Sequence, residues 1–306
     1  MDFTDLNQSM GAFESAVSST KARVQMPTCG AVLLAVDGSE QDATAIALAA
    51  EVAPRLRAKL RVTIGSDDHE IAARAVAELK AQGHVAETVT GEGDTPAARI
   101  LAAQTKTDAG LVIVPAPYLE AMPALRGESL GTTVDMLLAE VHGALLVVRD
   151  PIALTAEHLK RFLLPMTVFT PALASAAGWA FSLAEGAATI DLYAVADQKA
   201  VEAAAELVGE VDEEHREARS ADALLRAEHR NAGGMISAVQ QRASDTGVNV
   251  NVDIDAGDPV SLVLERLHRE PALAIVGAPL DHKAAEFHRV HDIVLGSKHP
   301  VLVARA

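Results

Sequence analysis

Two short stretches of this sequence carry residue types that suit binding of an anionic ligand. Val36-Asp37-Gly38-Ser39 ends an apolar run, and Leu130-Gly131-Thr132-Thr133 precedes another one. Glycines let a backbone approach a ligand closely, and the N–H groups at a helix start bind phosphate oxygens. A second interpretation stays open for both: a strand-to-helix turn with Ser39 as N-cap, and a plain helix start at Gly131.

Apolar runs and helical patterns alternate around these stretches and must position them. Short apolar strands that alternate with helices predict a parallel sheet covered on both faces. In the first half, the predicted strands are residues 31–36, 60–64, 85–89, 111–114 and 144–148, and the predicted helices are 40–56, 69–82, 96–105 and 129–140.

The second half repeats this order, which indicates two copies of one structural unit. Gly93-Asp94-Thr95-Pro96 opens a helical stretch in the first half, and Gly257-Asp258-Pro259 opens one in the second. Pro165 weakens the first strand of the second half. The strands predicted there are residues 162–169, 189–195, 248–254, 273–276 and 301–303.

The boundary between the units is predicted at Asp150-Pro151. The domains are then a leader helix at residues 1–28, a first unit at 29–150 and a second at 151–306. The charged, Ala-rich residues 197–230 predict an additional helix in the second unit. The interval between the fourth and fifth strands is shorter there, because 27 positions separate Val276 from Val303 and 34 separate Val114 from Val148.

The composition limits the function classes. A net charge of −16 argues against general affinity for nucleic acids or anionic membranes. No signal sequence or membrane-spanning run is present in the sequence, and Cys29 is the single cysteine, so we expect a cytoplasmic protein. Aromatic residues make up only 3% of the chain, so Ala, Val, Leu and Ile must build the cores, as in a layered α/β protein.

The order of Asp37-Gly38-Ser39, the Gly-Asp before the third helix and Gly131-Thr132-Thr133 resembles the universal stress protein (UspA-like) family. The resemblance covers residues 30–150 well and 161–305 more weakly, as a tandem pair. It implies an α/β fold of two tandem doubly wound, Rossmann-like domains, each with a five-stranded parallel sheet. Some family members bind ATP or AMP in the crevice at the carboxyl ends of the strands.

The resemblance also implies which residues of the first half would contact a nucleotide, with Mg²⁺. Asp37 matches the residue that meets the adenine, and Gly131 and Thr132 match the phosphate side. The candidate contacts are Asp37, Gly38, Ser39, Ile64, Val114, Arg126, Gly131, Thr132 and Thr133. The family's Gly-x-x-Gly pair is replaced by Pro115-Ala116-Pro117-Tyr118, and prolines have no N–H to donate. The first half therefore keeps at most one weakened pocket.

The second half departs further from the family pattern. Thr170-Pro171 stands where the Asp-Gly would be, and Gly277 matches the first glycine of the pair. Counted back from the last strand, Phe287-His288 falls where Gly-Ser would sit. We expect no ATP there, because a bulky Phe blocks the approach of the backbone.

Two hypotheses follow. The first is a universal-stress-type regulatory protein with one weakened adenine-nucleotide pocket; the second is a non-nucleotide-binding scaffold or interaction module with both pockets degenerate. The loop at residues 115–131 discriminates them, since a loop that fills the crevice favours the second. An enzyme, such as a slow ATP hydrolase, ranks third: no general base is evident, so no catalytic residue is assigned.

Other candidates for chemistry and association are weaker. His282, His288, His291 and His299 show no metal-ligand spacing, so they are interpreted as surface histidines, and no metal site is predicted. Cys29 has no nearby partner for catalysis. Family members dimerise by pairing fifth strands, so residues 144–148 and 300–303 are expected to pair within the chain as a pseudo-dimer. We expect a protein partner or self-association.

Overall fold

The computed structural model describes residues 23–119, 129–151, 156–166, 171–197 and 221–305. Strands alternate with helices throughout both halves. The first half contains β1 (Ala31–Val36), α1 (Asp42–Arg55), β2 (Lys59–Ile64), α2 (His69–Ala81), β3 (Ala86–Thr88), α3 (Pro96–Thr107), β4 (Ala109–Pro115), α4 (Thr132–Glu140) and β5 (Ala144–Val148). The second contains β6 (Arg161–Met166), α5 (Pro171–Leu183), β7 (Thr189–Asp197), α6 (Ala221–Thr246), β8 (Asn249–Gly257), α7 (Pro259–Arg269), β9 (Leu273–Ala278), α8 (Ala285–Gly296) and β10 (Val301–Arg305).

All ten strands form one sheet. Its order is β3-β2-β1-β4-β5-β10-β9-β6-β7-β8, so each half has the same strand order, 3-2-1-4-5 when its own strands are numbered. The two halves meet where β10 runs antiparallel to β5, with Leu302 opposite Leu146 and Ala304 opposite Ala144. Every other strand pair is parallel.

Alternate residues of each strand pack on opposite faces of the sheet. Val32 and Leu34 of β1 lie in a buried cluster with α1, α2, α5 and α6, whereas Leu33 and Ala35 lie in a second cluster with α3, α4, α7 and α8. Helices therefore cover both faces, which explains why the strands are apolar runs without alternation. The predicted α/β class with doubly wound, mostly parallel sheets is confirmed.

Pro165 lies inside β6, although this strand is central in the sheet. Its pairing with β9 ends at Leu163, while the ladder with β7 continues through Pro165 opposite Tyr193. A proline is tolerated in a strand where no partner needs its missing N–H. The predicted strand at residues 162–169 is therefore confirmed as far as Met166, and residues 167–170 lie outside the described part of the chain.

The two glycine-containing stretches that indicated the repeat open corresponding helices. Thr95 caps α3 by accepting the N–H of Ala98 at 3.1 Å, and Asp258 caps α7 by accepting the N–H of Ser261 at 2.8 Å. In both helices a proline follows the cap directly, where its missing N–H costs nothing. The cap side chain differs, but the local geometry is repeated.

The segments that flank the repeat are described only in part. Residues 1–22 of the predicted leader helix lie outside the described residues, and residues 23–28 form neither helix nor strand. There Gln25 donates its N–H to Ala174 of α5 at 3.0 Å, so the entry to the first half crosses onto the second. In the predicted insertion helix, residues 221–230 belong to α6, and residues 198–220 are outside the described chain. The boundary at Asp150-Pro151 stays a prediction.

Candidate functional site

Most of the predicted site residues gather at one edge of the sheet. Asp37, Gly38 and Ser39 follow β1, while Ile64 and Val114 stand at the carboxyl ends of β2 and β4. Helices run back antiparallel to the strands, so the start of α4, with Gly131, Thr132 and Thr133, lies at the same edge. This edge is the switch point between β1 and β4, where open α/β sheets bind ligands. Arg126 lies outside the described residues.

Tyr118 lies at this edge, between the ends of β1 and β2. Its side chain is completely buried, and its hydroxyl donates to the carbonyl of Val36 at 2.7 Å and accepts the N–H of Gly65 at 2.8 Å. A Cβ on Gly65 would lie 2.9 Å from Cε1 of the Tyr118 ring. Gly65 therefore makes room for the ring, and the ring ties together the ends of β1 and β2.

Asp37 is held by the same loop. One carboxylate oxygen accepts the N–H of Leu119 at 2.8 Å, and the other accepts the N–H of Ser39 at 3.0 Å. The segment after β4 thus contacts the crevice twice, through the Tyr118 hydroxyl and the Leu119 backbone. The carboxylate that was predicted to meet an adenine is engaged by donors of the chain itself.

Asp42 is a site residue that the sequence did not reveal. Its carboxylate accepts the N–H groups of Gly38 at 2.8 Å and of Asp37 at 3.2 Å, so it closes the turn after β1. Burial raises the pKa of Asp42 to about 6; the neighbouring Asp37 carboxylate adds to the rise, and the Gly38 N–H opposes it. The turn needs Gly38, because its φ is 85°.

The alternative interpretation of Ser39 as N-cap is wrong. The first helix begins at Asp42, its N-cap position is Gln41, and the Ser39 hydroxyl has no partner among the described residues. Asp42, in the first turn of the helix, accepts the N–H groups of Asp37 and Gly38. The loop after β1 is therefore longer than it would be if Ser39 capped the helix. Asp37-Gly38-Ser39 indicated a turn, but the carboxylate that closes it belongs to Asp42, three residues after Ser39.

Gly131 occupies the N-cap position of α4 with a φ of 87°, a conformation that disfavours side chains with a Cβ. Its N–H donates to the hydroxyl of Ser129 at 3.0 Å. Thr132 is exposed at the first position of the helix, and Thr133 is buried beside it. This is the helix start that both interpretations of the sequence expected.

The second half has different geometry at the matching positions. Gly277 lies in β9, where an added Cβ would stand 2.6 Å from the backbone of Ala172, so it serves the close packing of α5 on the sheet. Phe287 is not in a loop: α8 begins at Ala285 and buries Phe287 in the core. Thr170 lies outside the described residues.

Comparisons with known proteins support the fold. No family model and no curated protein matches the chain. Two solved structures cover 90% of it at 16% identity: a putative universal stress protein from Pseudomonas aeruginosa UCBPP-PA14, over 93% of that chain with a TM-score of 0.62, and a universal stress protein from Archaeoglobus fulgidus DSM 4304, over 98% of that chain with a TM-score of 0.58. A functionally unknown protein from Pseudomonas aeruginosa PAO1 gives a TM-score of 0.63 at 16% identity, over 90% of this chain and 92% of that one.

The chain has the universal stress protein fold. At this identity the likeness concerns the fold alone. It agrees with the resemblance read from Asp37-Gly38-Ser39 and Gly131-Thr132-Thr133, and it extends over both halves. Among the helices that the structure describes, none is long and apolar enough to cross a membrane.

Among the candidate histidines, His282 and His288 are exposed, as predicted, whereas His291 and His299 are half-buried. His291 of α8 lies 3.1 Å from the Asp135 carboxylate of α4, a hydrogen bond that raises the pKa of His291 and links the two halves. In the described ranges, no group of three or more His, Cys, Asp or Glu side chains is arranged to hold a metal ion. Burial raises the pKa of Cys29 to about 11, so its thiol stays protonated at neutral pH.

Proposed function

We propose that this protein is a universal-stress-type regulatory protein that acts through contacts with other proteins, without a bound nucleotide. One observation supports the proposal: the buried Tyr118 side chain bonds the ends of β1 and β2 at the edge of the sheet where the family resemblance implies a nucleotide site. The function is binding and not catalysis, so we expect no ATP hydrolysis above the buffer rate.

The hydrogen bonds around Tyr118 support a closed crevice. An adenine bound in this position would displace the Tyr118 hydroxyl. It would then have to form hydrogen bonds itself with the Val36 carbonyl and the Gly65 N–H, both of which are buried. It would also have to displace Leu119 from the Asp37 carboxylate. Leaving buried donors or acceptors without partners costs about 1–3 kcal/mol each, so a nucleotide would have to offset several such costs.

A second candidate function is weak binding of ATP or AMP with Mg²⁺ in the first half. It is favoured by the position of Asp37, Gly131 and Thr132 at one edge of the sheet, where the family pattern requires them. This function needs Tyr118 and Leu119 to leave the crevice. It makes the protein a nucleotide-dependent regulator and not a constitutive binding module.

Calorimetric titration with ATP and Mg²⁺ separates the two functions, after analysis of the purified protein for bound nucleotide. We expect neither bound nucleotide nor binding heat for the native chain. Tyr118→Ala should open the crevice and permit weak binding, whereas Tyr193→Ala, which truncates the other tyrosine in the second half, should not. Micromolar ATP binding by the native chain that Asp37→Ala abolishes would establish the second candidate instead.

A further inference from the structure

A basic cavity lies at the amino ends of the outer strands of the first half, far from the crevice. It has a volume of about 510 Å³ and is bounded by the end of α1, the start of β2 and the loop between α2 and β3. The ionisable residues in its lining are Arg57, Lys59, Arg61, His84 and Glu87. Glu87 forms an ion pair with Arg61, which leaves Arg57 and Lys59 without an acidic neighbour in the lining.

Arg57 and Lys59 are exposed, and neither side chain forms an ion pair or hydrogen bond with any described residue. The chain as a whole carries 42 acidic and 26 basic residues, so a lining rich in Arg and Lys contrasts with the acidic balance of the sequence. Arg55, two positions before Arg57, shows the contrast, because its guanidinium donates to the carbonyls of Leu159 and Leu183. The field of the cavity therefore attracts acidic groups.

The cavity adjoins an open sheet edge. Of the described strands, β3 pairs only with β2, and it ends the sheet order. Val89 donates its N–H to Val62 of β2 at 2.8 Å, so the alternation along the strand points the N–H groups of Ala86 and Thr88 away from β2. Val85 beside them is 83% exposed. The free backbone donors of β3, the apolar Val85 side chain and the cations of the cavity therefore lie along the same edge of the sheet.

We propose that this edge surface, made of β3, Val85, Arg57, Lys59 and His84, binds an acidic extended segment of a partner protein. The segment adds to β3 as a further strand, and its carboxylates lie against the cations of the cavity. Main-chain hydrogen bonds give such strand addition its affinity, and side-chain contacts give it its specificity. The proposal names the partner class for the binding function proposed above, but it does not depend on whether the crevice takes a nucleotide.

A second copy of this chain fits the edge less well. Antiparallel pairing of two β3 strands would place the Arg57 and Lys59 of each copy beside the carboxyl end of the other strand, where Thr88, Val89 and Thr90 offer no carboxylate. The other outer strand, β8, carries Asp253 and Asp255, but Asp253 pairs with Arg266 at 2.6 Å and Asp255 accepts the Tyr193 hydroxyl at 2.8 Å. Those carboxylates are already used within the chain.

Fluorescence anisotropy of the full chain with a labelled peptide of alternating Glu and Val tests the proposal. We expect binding at low ionic strength that weakens with added salt, and no binding of a Lys-Val peptide of equal length. Arg57→Glu with Lys59→Glu should weaken binding by about tenfold or more. Lys283→Glu with Lys298→Glu changes the net charge equally at exposed sites of the second half and should leave binding unchanged.

The strand geometry has its own pair of variants. Thr88→Pro removes an outward N–H without touching the ladder to β2 and should abolish binding, while Thr88→Ala should not. Equal loss in both charge-reversed proteins, or full binding by Thr88→Pro, would overturn strand addition at this edge. Concentration-dependent assembly of the chain alone that Thr88→Pro prevents, measured by light scattering, would assign the edge to a second copy and overturn the proposed partner.

Discussion

Tyr118 ties together the ends of β1 and β2, and it does so as a neutral group. Burial raises the pKa of Tyr118 above its usual range, so its hydroxyl keeps the proton that it donates to Val36. Gly65 provides the space for the ring, since any Cβ there would contact Tyr118 and Pro96 at under 3 Å. This contact therefore joins a residue that follows β2 to a residue that follows β4, and neither is charged at neutral pH.

Asp42 makes the stability of the turn after β1 depend on pH. Its folded pKa of about 6 lies above the ordinary value of 3.8, so the folded state holds this proton more tightly than the unfolded chain. The stability that it contributes is fully present below pH 3.8 and is lost as the pH rises through about 6. We expect the urea midpoint of the native chain to fall across this window.

Asp42→Asn should remove that part of the fall, because the variant has no titrating group at this position. A carboxyl titration by NMR supplies the direct check: the Asp42 signal should move near pH 6, well above the ordinary aspartate pKa of 3.8. An Asp42 signal that titrates near pH 4 would contradict the burial argument.

At the scale of elements, the contact between α5 and β9 depends on a glycine. A Cβ at Gly277 would lie 2.6 Å from the carbonyl carbon and oxygen of Ala172 and 2.8 Å from the N of Leu173. These are backbone atoms, so no change of side-chain rotamer can relieve the clash. Gly277→Ala should therefore push α5 off the sheet and lower the free energy of unfolding by about 1–3 kcal/mol.

Gly233 in α6 provides the matched control for Gly277. A Cβ there has no atom within 4 Å, and the position is inside a helix, so Gly233→Ala should raise the free energy of unfolding by about 0.5–1 kcal/mol. Urea denaturation of both variants gives the comparison. If both substitutions changed the free energy of unfolding in the same direction, close packing would not be the reason for a glycine at position 277.

At the scale of the whole molecule, the junction between β5 and β10 joins the halves into one sheet. Four pairs of residues face each other there, from Val301 opposite Val147 to Ala304 opposite Ala144. Arg305 adds bonds across the junction: its guanidinium donates to Leu138 of α4, and its N–H donates to Gly143 at 2.8 Å. Two unprotected strand edges are thereby covered.

The halves produced together as separate chains, 1–150 and 151–306, should form a one-to-one complex because each exposes an apolar strand that fits the other. Light scattering and size-exclusion chromatography measure this. Arg305→Met should weaken the complex by about tenfold, since it leaves the buried Leu138 carbonyl of the other half without its donor. Arg269→Met should not, because Arg269 is exposed and its partner, Glu265, belongs to the same helix. Separate elution of the two native halves would contradict a junction built on these contacts.

The sequence predicted much of the fold because its signals are local. β1 and β5 match their predicted bounds, since each is an apolar run buried on both faces. The site was predicted only as a set of positions. Asp42 could not be recognised, because a carboxylate in the first turn of a helix is common, and only the loop geometry reveals the two N–H groups that it accepts.

The sequence alone determined the order of strands and helices, the internal repeat and the edge of the sheet at which the candidate residues meet. These follow from periodicity and from the geometry of parallel sheets. Only the tertiary structure decided what fills that edge, because Tyr118 reaches Val36 across 82 positions of the chain and Gly65 across 53. A contact of that range depends on how the whole sheet is assembled, and no local pattern in the sequence encodes it.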